Sequence, residues 1–159
     1  MGQKYYSAEK AVQVVVGLLK SYGIKRVIAS PGTTNLTFVA SLQHDPFFII
    51  YSAPEERSAA YMAVGMAEES GEPVVITCTG ATASRNYLPA LTEAFYRKLP
   101  ILAITATQPR GIVGQLVPQV IDRSSLPKDA ANYSVHIPIV KDKADYNFAV
   151  LKVNEALHY

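Results

Sequence analysis

Apolar positions along the chain recur at two alternating periods. Ala11, Val14, Val15, Leu18 and Leu19 share one face at helical spacing. They predict a helix that Ser7 caps, that runs to about Tyr22 and that Gly23 ends. "KRVIAS" (Lys25–Ser30) then reads as a short buried strand. "PGTTN" is a turn, and Thr33, Thr34 or Asn35 can cap a helix through about Leu42. The alternation continues with a strand at "FFIIYS", a helix over Pro54 to Ser70 closed by Gly71, and a strand at "PVVITC". "TGATASRN" turns into a helix through about Arg97, and "PILAIT" is the next strand.

"VVITC" and "ILAIT" are apolar at consecutive positions, the pattern of parallel strands covered on both faces. Strands alternating with helices predict an α/β fold: a doubly wound, mostly parallel sheet with helices on both faces. Beyond Gln108 the pattern dissolves into Gly, Pro and polar residues, with one short helical piece expected near Val117 to Asp122. "YSVHIP" (Tyr133–Pro138) reads as a fifth strand, and "DYNFAVLKVNEALHY" as a last helix. No strand follows that helix, so the expectation is one domain over residues 1–159, lacking its last strand and cut from a longer multidomain chain.

The composition changes this picture little. Hydrophobic residues make up 49% and charged residues 18%, which excludes a disordered chain. A net charge of +2, with no block of like charge, gives no reason to expect nucleic acid or a membrane as partner. Cys78 is the single cysteine, so no internal disulfide can form, and a reducing cytoplasm fits. "MGQKYYSAEK" lacks the apolar core of a signal peptide and has Tyr6 where a myristoylation motif needs Ser or Thr.

Ligands of an open parallel sheet bind beyond the carboxyl ends of its strands. Four loops fall there: "SPGTTN", "SAPEER", "TGATASRN" and "TATQPRG". Their Gly, Pro, Ser and Thr let backbone approach a ligand, although any such sheet needs turns of this kind. Glu55 and Glu56 open a helix, where an acid offsets the macrodipole by roughly 0.3–1 kcal/mol, and Arg57 can neutralise one of them. The segment that follows is unusually thin: Ser58, Ala59, Ala60, Ala63, Gly65 and Ala67 allow close backbone approach. Gly65 costs about 1 kcal/mol relative to Ala in a helix, which predicts that something needs the space. One of the two acids is therefore a candidate cofactor ligand.

The remaining candidates are weaker. "TGATASRN" is no P-loop, since it lacks Gly-Lys-Ser/Thr. His44, His136 and His158 lack metal-ligand spacing and read as surface or turn residues. Cys78 ends an apolar strand and reads as a buried small hydrophobe. Tyr87, Leu88, Leu91 and Phe95 fall at helical spacing, as core or a subunit interface.

The ordered combination of "SPGTTN" with "EERSAAYMAVGMAEESGEPVVITCTGATASRNYLPALTEAFYRKLPILAITATQP" resembles the N-terminal pyrimidine-binding domain of thiamine diphosphate enzymes. It looks most like the branch of the menaquinone-pathway synthase of succinyl-enolpyruvyl-hydroxycyclohexene carboxylate, followed by the acetohydroxyacid synthases. The resemblance covers Ser7 to Pro109 well and the remainder loosely. It implies the thiamine diphosphate-binding fold and a carboligase or decarboxylase, a transferase or lyase acting on a 2-oxo acid.

By the same resemblance Glu56 falls on the family's catalytic glutamate, with Glu55 one residue away as the competitor. The spacing to the Ala-Ala pair favours Glu56. Its implied role is to share a proton with N1′ of the cofactor's aminopyrimidine, favouring the imino form that takes the proton from thiazolium C2. Pro31 and Gly32 would line the pocket through backbone, with Thr79 and Asn86 beside it.

Two departures bear on the substrate. The menaquinone synthases carry Ser-Arg-Ser after the Pro-Gly, whereas Thr33 and Thr34 stand here. The family's Ser-Gly turn is Gly80-Ala81, and Arg85 precedes Asn86. Thr33, Thr34 and Arg85 are the candidate substrate contacts. The family binds diphosphate and Mg2+ on a second domain marked by Gly-Asp-Gly, a motif this chain lacks. The implied partner is that domain on another subunit, in a homodimer or homotetramer, and the isolated chain is expected to be inactive. The alternative is a non-catalytic binding domain that kept the scaffold and lost the chemistry.

Overall fold

The computed structural model describes residues 7–80 and 82–159. Six helices and four strands alternate in it as the periodicity predicts: α1 (Lys10–Ser21), β1 (Arg26–Ala29), α2 (Leu36–Gln43), β2 (Ile49–Ser52), α3 (Glu56–Ser70), β3 (Val74–Cys78), α4 (Thr82–Arg85), α5 (Leu88–Arg97), β4 (Ile101–Thr105) and α6 (Lys143–His158). The expectations for "MGQKYY" and Ala81 lie outside the described residues.

Every strand pairing in the sheet is parallel, in the order β2-β1-β3-β4. β3 lies in the interior and is buried at all five positions. Alternate residues of β1, β3 and β4 feed two cores, whereas β2 gives only Ile50 to one of them. Ile28, Val74, Ile76 and Cys78 face α3 and α5, while Val27, Val75, Leu102 and Ile104 face α1, α2 and Leu157 of α6. The sheet is thus covered on both faces, as a doubly wound fold requires.

Local chemistry sets the ends of the elements. Gly23 and Gly71 take φ of 73° and 64°, the left-handed conformation that stops α1 and α3 at little steric cost. Lys10 opens α1 behind Glu9; Ser7 instead accepts from the Glu9 N–H at 3.0 Å. The inner face of α1 is Val14, Val16 and Leu19, with Val15 and Leu18 only partly buried. The helix expected after the "TGATASRN" turn is α5, and it is divided at Asn86–Tyr87 from a single helical turn, α4, that forms within the turn segment. Pro89 explains the division: it cannot donate to the Arg85 carbonyl, and its ring would press against it.

The second half departs further from expectation. β4 is an edge strand and is partly exposed along its length, so "ILAIT" is not covered on both faces. Tyr133–Pro138 forms no strand and pairs with nothing in the sheet. A strand needs a partner as well as β-branched residues, and here the segment lines a cleft beside β4 without bonding to it. The helical piece expected near Val117 to Asp122 is a turn, and a single 3-10 turn occurs earlier, at Arg110–Ile112. Pro118 and the positive φ of Gln119, 60°, both oppose a helix there.

Candidate functional site

The chain leaves β1 toward β2 on one side and then places β3 on the other, so the winding reverses between β1 and β3. The carboxyl ends of these two strands flank the crevice where such folds bind ligands. Three loops converge on it, after β1, β2 and β3.

The first loop is pinned from within. Asn35 is buried; its Oδ1 accepts from the Gly32 N–H at 2.8 Å and its Nδ2 donates to the Ser30 carbonyl at 3.2 Å. Asn35 thus occupies the N-cap position of α2, yet its side chain reaches back along the loop. Ser30 Oγ donates to the Ala53 carbonyl at 2.6 Å and ties the ends of β1 and β2 together. The loops after β1 and β3 touch: a Cβ on Gly32 would collide with the Thr79 methyl, and the Gly80 N–H donates to Thr34 Oγ1 at 3.4 Å. Pro31 is exposed beside them.

The second loop separates the two acids. Glu55 is the N-cap of α3: its carboxylate accepts from the N–H groups of Arg57 and Ser58, at 3.0 and 2.7 Å, and from the Ser58 hydroxyl at 2.7 Å. The Ser58 hydroxyl, then the Ser58 and Arg57 N–H groups, hold the Glu55 carboxyl below the ordinary carboxylate range. Glu56, half-buried on the first turn, turns instead toward the third loop, with Asn86 Nδ2 3.5 Å from Oε2. That contact is too long for a strong hydrogen bond, so the carboxylate keeps free acceptor capacity. The surrounding helix is slender. Ala59, Ala60, Ala63 and Ala67 are fully buried against the sheet and α5, which accounts for four of the small residues by packing alone. Gly65 behaves differently from expectation: it is exposed, and a Cβ there would meet nothing within 4 Å.

Next to Asn86 in the chain is a buried group that the sequence pattern presented as core or a subunit interface. Tyr87 is 1% exposed, and its hydroxyl has no hydrogen-bond partner. It sits beside Ser30 and Cys78. Burial pushes the phenol up from its ordinary range and the Cys78 thiol up to about 11, so Cys78 is a protonated core residue and no nucleophile. Its Sγ–H donates to the Thr79 carbonyl at 3.1 Å.

Thr33, Thr34, Thr79, Gly80 and Arg85 line an open cleft of about 730 Å³ that extends along β4; its lining includes neither Glu56 nor Asn86. Arg85 Nη2 donates to the Asp122 carbonyl at 2.9 Å. Arg123, which no sequence signal singled out, crosses the carboxyl end of β4 and donates to Thr105 Oγ1 and the Ala106 carbonyl, both at 2.7 Å. Its approach to Gly80 is close, and the Ala106 oxygen would lie 2.7 Å from a Cβ at Gly80. His136, read as a surface or turn residue, lies outside any helix or strand and is half-buried in the same cleft; burial, then the Arg110 and Arg123 charges, push it down. His44 and His158 are exposed. Among the described residues no three acidic, His or Cys groups are placed to hold a metal ion, and no helix is long and apolar enough to cross a membrane.

Comparison with known proteins gives this geometry a context. Residues 9–126 match the family described as "Thiamine pyrophosphate enzyme, N-terminal TPP binding domain". A 2-succinyl-5-enolpyruvyl-6-hydroxy-3-cyclohexene-1-carboxylate synthase of Bacteroides thetaiotaomicron is 35% identical over 152 residues, 96% of this chain and 27% of that protein. The synthase of the same name from Porphyromonas gingivalis is 42% identical over 110 residues, 69% of this chain and 19% of that protein. Among solved structures, a thiamine diphosphate-dependent 4-hydroxybenzoylformate decarboxylase of Rhodococcus jostii superposes with a TM-score of 0.72 at 22% identity, over 93% of this chain and 27% of that one. At that identity the superposition speaks for the fold. The chain thus spans about a quarter of the length of the first of these relatives. By the extent of the family match, it belongs to the thiamine pyrophosphate enzymes and is their N-terminal TPP-binding domain.

Proposed function

We propose that Glu56 is the residue of this domain that engages the cofactor's aminopyrimidine ring, in a complete enzyme that acts on a 2-oxo acid as carboligase or decarboxylase. The observation that carries this reading is the division of labour at the start of α3. Glu55 is consumed by the helix it caps, whereas Glu56 keeps a carboxylate with one long contact, to Asn86. A carboxylate so placed can share a proton with a ring nitrogen. Asn86 holds it in orientation, and Thr79, Gly32 and Pro31 border the ring's side of the crevice. Bound thiamine diphosphate supplies the electron sink that 2-oxo acid chemistry needs. The Gly32 N–H is already taken by Asn35, so Gly32 contributes close approach and no donor.

The diphosphate and its Mg2+ belong, in this reading, to a domain of another subunit, in a cytoplasmic homodimer or homotetramer. The half-exposed setting of Glu56 suits a site that a second surface completes. Thr33, Thr34 and Arg85 are the substrate contacts proposed on this domain. One observation favours the rival reading, a scaffold without chemistry: Thr34 and Arg85 already serve contacts within the chain, to Gly80 and Asp122. One substitution separates the two. With the domain assembled on its diphosphate-binding partner, Glu56→Gln is expected to abolish turnover while the melting temperature stays unchanged. Turnover that survives this substitution would exclude Glu56 from the role.

A further inference from the structure

The cleft beside β4 holds positive charge that the chain does not balance. Three arginines line it, Arg85, Arg110 and Arg123, with one acidic side chain, Asp122. The acid is engaged elsewhere: its Oδ1 accepts from the Ser124 N–H and hydroxyl, at 2.8 and 2.6 Å. Arg85 donates to the Asp122 backbone carbonyl instead, at 2.9 Å. Arg123 donates to the Thr105 hydroxyl and the Ala106 carbonyl, both neutral. Among the described residues neither arginine forms an ion pair. The Asp122 charge reaches Arg110 and Arg85, and one carboxylate cannot offset three cations. Arg85 and Arg123 are also half-buried, so water screens them poorly. A charge drawn out of water is unfavourable until an opposite charge meets it. Fastening the chain across β4 accounts for two of the five N–H donors of Arg123, and the loop contact for one on Arg85. It does not account for two guanidinium groups brought to the same end of the sheet.

We infer that Arg85 and Arg123 together receive an oxyanion, a terminal carboxylate or phosphate carried by the substrate. Their place is the carboxyl edge of the parallel sheet, where such folds bind ligands, and Thr33, Thr34 and Gly80 line the same cleft. A guanidinium presents its donors as a planar fork that matches either oxyanion. The lining includes neither Glu56 nor Asn86, so the anion held here is a second acid group, apart from the carboxylate of the 2-oxo acid beside the ring. The substrate class is then an organic acid with a further anionic end. Arg110 is exposed and adds attraction at longer range. Calling the ligand a substrate rests on the function proposed above; the affinity of the two arginines for an anion concerns this chain alone.

The test titrates the 15N-labelled 159-residue chain with inorganic phosphate in one series and succinate in another. Chloride keeps the ionic strength constant. The expected result is a saturable displacement of the Gly80 and Ala106 amide resonances, which flank the Arg123 guanidinium. Arg85→Gln and Arg123→Gln should each raise the dissociation constant by about tenfold or more, the worth of a hydrogen bond to a charged group. Arg85→Gln removes one contact to a loop carbonyl, so it decides the matter alone if Arg123→Gln loses the native spectrum. Tighter binding of phosphate assigns a phosphate ester, and tighter binding of succinate a second carboxylate. Absence of saturation with both anions overturns the inference. So does a dissociation constant in Arg85→Gln equal to that of the parent. Thiamine diphosphate takes no part in the titration, so failure here leaves the turnover test of Glu56 standing, and failure of that test leaves the anion site standing.

Discussion

At the scale of single residues, the decisive feature is the one-residue step from Glu55 to Glu56. Two adjacent acids at a helix start are indistinguishable by composition, and helix-dipole arguments apply to both. Hydrogen-bond geometry separates them: three donors converge on Glu55, and one distant amide faces Glu56. This yields a pH-dependent prediction. The Glu55 carboxyl is held below its ordinary value of 4.5, chiefly by the Ser58 hydroxyl. A group depressed on folding stabilises the fold at pH above its unfolded value and loses that contribution as pH falls through the folded one. Glu55→Gln should therefore melt below the parent at neutral pH, and the gap should close on acidification, as thermal melts across the acid range would show. Tyr87 and Arg123 were not legible as site residues, because each owes its place to neighbours distant in sequence, whereas Asn35 is held by Ser30 and Gly32 within its own loop. Nothing local distinguishes a tyrosine whose hydroxyl is orphaned from one that packs as core.

At the scale of elements, periodicity located all four strands and the long helices, because each buries a continuous stripe. It did not show the short α4 inside the "TGATASRN" turn, nor that the break before α5, which Pro89 imposes, frees Asn86 to face Glu56. Nor could it say which small residues serve packing. In α3 the alanines are spent on the sheet and α5, while Gly65 meets nothing. Gly65→Ala should therefore stabilise the isolated chain by about 0.5–1 kcal/mol through helix propensity alone. Gly80→Ala should destabilise it by about 1–3 kcal/mol, since its Cβ would meet the backbone carbonyl of Ala106 at 2.7 Å, a group that cannot rotate away. Urea denaturation of both variants checks the opposite signs. The strand expected at Tyr133–Pro138 failed for a different reason. Alternating β-branched residues record a preference, and pairing requires an edge within reach.

At the scale of the whole molecule, the fold places the ends of β1, β2 and β3 around one crevice, and the doubly wound class was readable from two strands of unbroken apolar residues. The edge strand β4 and the cleft beside it were not, since one sequence does not show which strand ends a sheet. The chain spans 27% of the length of its Bacteroides thetaiotaomicron relative, so the chemistry proposed for it belongs to an assembly. There the account can be tested most directly by the rate at which deuterium replaces the C2 proton of bound thiamine diphosphate. With the domain joined to its diphosphate-binding partner, Glu56→Gln should slow that exchange by about 10²–10⁴-fold, the usual worth of a positioned proton-transfer group. Glu55→Gln should leave it near the parent rate. Unchanged exchange in Glu56→Gln, or the larger loss in Glu55→Gln, would contradict the account.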